Sequence, residues 1–107
     1  MKRVIEFLVK ENGKSPALEF YNSLDEKIKN KFRFLFTRME EFGKISDPTK
    51  FNAEPDGFYC FKYEQVRFIA FMDKEKIILT HGCIKKEQKI PARELEKARI
   101  ARREYEN

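Results

Sequence analysis

The chain contains no tryptophan, a single histidine, two cysteines and four glycines among its 107 residues. Each scarcity removes a class of chemistry. One histidine, His81, cannot supply a zinc set, and Cys60 and Cys83 lack the short spacing of metal ligands. Ser15, Ser23 and Ser46 all fall in cap or loop contexts, so nothing resembles a nucleophilic triad. There is no glycine-rich loop to cradle a nucleotide phosphate. No apolar run approaches bilayer length: Met1-Lys2-Arg3 leads into a short run interrupted by Glu6 and Lys10, unlike a signal peptide or a membrane span. Repeats and low-complexity segments are also missing. The cysteines therefore read as buried, reduced thiols, and the chain as a cytoplasmic domain with no metal, no cofactor and no membrane partner.

Aromatic and cationic residues are what the chain has in quantity. Eleven Phe and four Tyr supply most of a core, and the length fits one domain over residues 1–107. The net charge is +5 and the pI about 9.2, a balance that favours a polyanionic partner.

Residues 3–9 alternate well enough for a strand, and Glu11-Asn12-Gly13-Lys14 is a turn. Ser15-Pro16 starts a short helix ending near Ser23-Leu24, with Ser15 as N-cap and Pro16 in the first turn. Asp25 caps a second, longer helix. Its Ile28, Phe32, Leu35, Met39 and Phe42 recur at helical spacing, a core stripe, and Gly43 stops it. Residues 44–56, with two prolines and little periodicity, read as a loop. From Pro91 a helical pattern returns, with Leu95, Ala98, Ala101 and Tyr105 on one side and interleaved Arg, Lys and Glu elsewhere. Strand, two helices, three strands and a helix predict an α+β fold, a mostly antiparallel sheet packed with helices.

The three strands lie within residues 57–91. Runs 58–63 and 66–72 flank Glu64-Gln65, and 76–83 follows an Asp73-Lys74-Glu75 turn. A hairpin about Glu64-Gln65 pairs Tyr63 with Val66, Lys62 with Arg67, Phe61 with Phe68 and Cys60 with Ile69. Lys62 and Arg67 then share the face opposite Tyr63, Phe61, Val66 and Phe68. Two cations facing each other across strands cost a few tenths of a kcal/mol to about 1 kcal/mol, and a bound phosphate backbone reverses that sign. Lys85, Lys86 and Lys89 follow the third strand, beside the hairpin if the strands are neighbours in chain order. Such a cluster can hold a phosphodiester and stabilise charge growing on it. RNA carries its own nucleophile, the 2′-OH, so a protein need only position it, move a proton and neutralise charge. His81, ending a strand beside Gly82, is a further candidate. Simple alternation puts it on the face of Leu79 and Cys83.

The order Ser15-Pro16…Phe20, Gly57-Phe58-Tyr59…Lys62 and Val66-Arg67-Phe68 resembles the RelE/ParE toxin superfamily. The tail His81-Gly82-Cys83-Ile84-Lys85-Lys86…Lys89-Ile90-Pro91…Glu94…Ala98…Arg102…Glu104-Tyr105 is similar to its phage-derived, HigB-like branch. Cys83 stands where that branch usually has Phe, Ile90 where it has Thr, and Val66 where many relatives have an aromatic. The resemblance implies a RelE-like domain and a type II toxin that enters the ribosomal A site and cuts mRNA without metal. A cognate antitoxin, often of helix-turn-helix type, would restrain it. By position, Arg67 is implied at the scissile phosphate, Lys62 as base or charge stabiliser, and Lys85 and Lys86 at phosphate or leaving group. Lys89, Tyr63, His81 and Tyr105 are the candidates for substrate contact, Tyr63 and Tyr105 for stacking on RNA. The superfamily also contains gyrase-poisoning members without the nuclease residues. Two alternatives therefore accompany the endoribonuclease reading: a gyrase inhibitor, and a basic RNA- or antitoxin-binding module without catalysis.

Overall fold

A computed structural model describes residues 2–85 and 89–107. The first alternating run becomes β1, Val4–Phe7. Helix α1, Pro16–Ser23, begins after Ser15, whose backbone is extended as an N-cap's should be. Its hydroxyl does not cap the helix but donates to Leu8 O at 2.8 Å, tying the helix start to the end of β1. Helix α2, Glu26–Phe42, is capped as expected: the Asp25 carboxylate accepts from Ile28 N, and Gly43 closes the helix at φ 75°.

The segment read as loop holds a short strand, β2, Phe51–Ala53, and a 3-10 turn over Pro55–Gly57. Three residues are too few to carry a period-2 signal. β2 forms because the outer edge of its neighbour offers unpaired backbone groups. Then come β3, Phe58–Tyr63, β4, Val66–Asp73, and β5, Lys76–Ile84, and the chain closes with α3, Ala92–Glu106. The five strands order as β1-β5-β4-β3-β2, antiparallel except for β1, which runs parallel to β5. The architecture is α+β, as predicted, with one more strand. Among the described residues no helix is long and apolar enough to cross a membrane.

Helices α1 and α2 cover one sheet face. Phe32, Leu35, Phe36 and Met39 of α2 meet Phe61, Phe68, Ala70, Ile77 and Leu79. Phe42, expected in that stripe, is instead 56% exposed at the helix end. Helix α3 covers the other face, where its Leu95, Ala98 and Ala101 sit on Phe58, Cys60, Ile69, Phe71 and Ile78. Small residues at two of those three positions let the helix approach the strands closely. Both cysteines are free and buried, and burial raises their thiols to about 12 for Cys60 and about 11 for Cys83.

Candidate functional site

The β3–β4 hairpin folds in the register counted from the sequence: Tyr63 opposite Val66, Lys62 opposite Arg67, Phe61 opposite Phe68 and Cys60 opposite Ile69. Glu64 takes φ 53° to make the two-residue turn, a conformation a non-glycine residue adopts at some cost. On β5, Cys83 pairs with Arg67. Lys62, Arg67 and Cys83 thus form one row across three strands on the α3 face, at the hairpin end of the sheet. Lys85 N donates to Gln65 O at 2.7 Å, so the basic segment leaves the sheet against the hairpin turn.

Arg67 is held by its own turn. Its Nη1 donates to Glu64 O at 2.6 Å and Val66 O at 2.9 Å. Its Nε is buried and has no hydrogen-bond partner among the described residues. The guanidinium is therefore oriented by Nη1, while Nε is a desolvated donor left without a partner. A ligand oxygen that reached Nε would find Nη2 beside it, the planar donor pair that matches two oxygens of a phosphate or carboxylate. Neither Lys62, Arg67 nor Lys85 pairs with a carboxylate among the described residues. The cations of α3 contrast with them: Arg99 and Arg103 reach Glu96, and Arg93 and Lys97 reach Glu94. The helix neutralises itself, and the sheet row does not.

His81 lies one row inward. A bulge between Ile69 and Ala70 on β4 pairs Ile69 with His81 and Ala70 with Leu79, leaving Thr80 as the extra residue. The bulge breaks simple alternation, so His81 shares the α3 face with Cys83 but not with Leu79, correcting the face read from the sequence. His81 Nε2 is 2.9 Å from Glu94 Oε1, and both side chains are buried. The Thr80 hydroxyl, with one hydrogen to give, stands 3.1 Å from both His81 Nδ1 and Ile69 O. Burial lowers the His81 pKa from its ordinary 6.5, outweighing the Glu94 carboxylate that opposes it. In the neutral ring Nε2–H donates to Glu94, while Nδ1 and Ile69 O compete for the single hydroxyl hydrogen of Thr80. The pair fastens the first turn of α3 to the sheet beside the cationic row.

Glu94 was not singled out from the sequence, although a signal was present. Glu94, Ala98 and Ala101 share one helical stripe, and a carboxylate on an apolar stripe needs a partner there. Gly82 also has a specific reason. A Cβ at this position would lie 2.1 Å from Phe20 Cδ2, so its missing side chain is the space that the Phe20 ring occupies.

The remaining candidates are dispersed. Tyr63 faces α2, on the opposite side of the sheet from the row, with Lys50 Nζ 4.9 Å from its ring centre. Tyr105 donates its hydroxyl to Asp73 Oδ2 at 2.8 Å, which holds the phenol proton and raises its pKa to about 12. Asp73 ends β4 and Arg67 nearly begins it, so Tyr105 stands about 20 Å along the strand from the row. The structure brings neither tyrosine to the cluster, because strand alternation turns one away and helix length carries the other past it. Lys89 is exposed beside the buried Ile90, and no hydrogen bond or ion pair joins it to the row among the described residues. Lys86 lies outside the described residues. No group of three His, Cys, Asp or Glu among the described residues could hold a metal ion.

Residues 19–103 match the model of the family described as phage-derived protein Gp49-like (DUF891). Among solved structures, the chain is similar to one from the toxin–antitoxin complex RelBE2 of Mycobacterium tuberculosis. The TM-score is 0.51 at 9% identity, covering 79% of this chain and 100% of that one. At that identity the likeness is one of fold. No curated protein matches the chain. With the match spanning both helical layers and the whole sheet beyond β1, the chain belongs to the phage-derived Gp49-like family and carries the fold of the RelE-type toxins.

Proposed function

We propose that this protein is the toxin of a type II toxin–antitoxin system, a HigB-like endoribonuclease that cuts mRNA in the ribosomal A site. One observation carries the reading: an arginine oriented by its own turn, its buried Nε still without a partner, stands across the strand from Lys62, in a row with no ion pair to a carboxylate among the described residues. RNA phosphate is the ligand such a row fits best, since its oxygens match the Nε–Nη2 edge and its charge relieves the Lys62–Arg67 repulsion.

In this reading Arg67 grips the scissile phosphate through two oxygens and stabilises the charge that develops when the neighbouring 2′-OH attacks phosphorus. The 2′ oxygen loses its proton, the bond from phosphorus to the 5′ oxygen breaks, and that oxygen takes a proton as it leaves. Lys62 stands where it can share in the proton transfer or in neutralising the phosphorane. Lys85 and Lys86 contribute charge on the leaving-group side. His81 acts on Glu94 rather than on RNA. The ribosome supplies the rest of the alignment, and a cognate antitoxin of helix-turn-helix type restrains the activity in a cytoplasmic setting. The placement of Tyr63 and Tyr105 favours a second reading, an RNA- or antitoxin-binding module that does not cut, because among the described residues no aromatic ring stands at the row to stack a base.

The test is primer extension on a defined mRNA in a cell-free translation reaction, with wild type, Arg67→Ala and Arg67→Lys side by side. Cuts at A-site codons that require ribosomes are expected from the wild type. They should weaken by about 10²–10³ in Arg67→Ala and substantially in Arg67→Lys, which keeps the charge and loses the paired donors. Intact message with the wild type would sink the nuclease reading, and loss of gyrase supercoiling activity with intact message would establish the gyrase alternative.

A further inference from the structure

Helix α2 turns an apolar ridge to solvent on the side of the sheet opposite the cationic row. Phe34 is 59% exposed and Phe42 56%. With Arg38 they stand at i, i+4 and i+8, a ridge of the kind that seats in the groove of a second helix, about 12 Å long. The Arg38 guanidinium lies 5.8 Å from the Phe34 ring centre and 5.3 Å from that of Phe42. Beside the ridge an open cavity of about 620 Å³ runs between α2 and the segment before β2, floored by Leu35, Ile45 and Tyr63. Lys31, Lys44 and Lys50 stand around it, and among the described residues the one acid in the lining is Asp47. That carboxylate is already engaged, accepting from Thr49 N at 2.9 Å and Thr49 Oγ1 at 2.7 Å.

We propose that this groove docks an acidic amphipathic helix of a partner protein. The helical spacing of the exposed ridge argues for a helix, the apolar floor for one apolar face, and the cationic rim for acidic flanks. Single-stranded RNA fits less well, because a base needs an open ring face and Arg38 already stands near both phenylalanines. The groove and the Lys62–Arg67 row lie on opposite sheet faces, so partner docking and RNA binding are separable. The inference does not depend on cleavage.

The test titrates the full-length protein with a synthetic peptide of about five helical turns, with leucines along one face and glutamates flanking them. A peptide of the same composition with leucines dispersed around the helix, and a single-stranded oligoribonucleotide, are run in parallel. The wild type should bind the amphipathic peptide saturably, more weakly as salt rises, with amide shifts concentrated in residues 31–50 and at Tyr63. Phe34→Ser combined with Phe42→Ser should weaken binding roughly tenfold or more, while Arg67→Ala leaves it unchanged. Because both phenylalanines are exposed, the double variant should keep its thermal midpoint, which verifies that it is folded. Absence of saturable binding, equal binding of the dispersed peptide, or undiminished affinity in the folded double variant would each overturn the proposal. Loss of oligoribonucleotide affinity in that variant, with the peptide unaffected, would reassign the groove to RNA.

Discussion

Gly82→Ala adds one methyl group at a point where the sheet has no room beneath Phe20 of α1. The new Cβ would lie 2.1 Å from Phe20 Cδ2, 2.6 Å from Cε2 and 2.8 Å from Cγ. Carbon pairs rest at about 3.5–4.0 Å, so the ring must withdraw by at least about 1.4 Å or the strand must move. Phe20 packs edge-on against Phe68, ring centres 5.4 Å apart, and withdrawal forfeits about 0.5–1.5 kcal/mol of that aromatic contact along with part of its burial. Overpacking of this kind costs about 1–3 kcal/mol in total. At about 4–8 °C per kcal/mol for a domain of this size, the thermal midpoint should fall by roughly 4–24 °C. Urea unfolding followed by circular dichroism would measure the loss for Gly82→Ala, Phe20→Ala and the double variant. With the ring gone the added methyl has room, so Gly82→Ala should cost little in the Phe20→Ala background, a coupling of at least about 1 kcal/mol. Additive costs, or a Gly82→Ala variant within about 0.5 kcal/mol of wild type, would refute the assignment of Gly82 to this contact.

Two further outcomes follow from the row and its neighbour. Lys62→Glu replaces a cross-strand repulsion with an attraction to Arg67 and should raise stability by about 0.2–1 kcal/mol while abolishing cleavage; a destabilised variant would mean that the pair does not repel. Because burial depresses the His81 pKa in the folded state, the unfolded chain binds more protons, and His81 should make stability fall as pH drops below the ordinary histidine value of 6.5. In urea titrations from pH 7.5 to 5.5, the difference between wild type and His81→Asn should shrink by up to about 1.4 kcal/mol per pH unit, whereas a difference growing toward acid would mean that the ion pair with Glu94 dominates.

What the sequence by itself determined is local. Glu64-Gln65 between two aromatic, β-branched runs set the hairpin and, with period-2 alternation, the pairing of Lys62 with Arg67. Asp25 and Gly43 bounded α2, since caps act within a turn of the residues that supply them. The tertiary structure decided whatever depended on a neighbour distant in the chain. β2 exists only because β3 has an outer edge to pair with. The bulge at Thr80 appears only when β5 is laid against β4, and it sends His81 to Glu94 rather than to the face of Leu79. Tyr105 reached Asp73 because α3 runs the length of the strands. The row of cations was legible in one dimension because its first two members sit on one hairpin. The unpaired donor of Arg67 was not, because only the folded turn engages Nη1 and buries Nε without a partner.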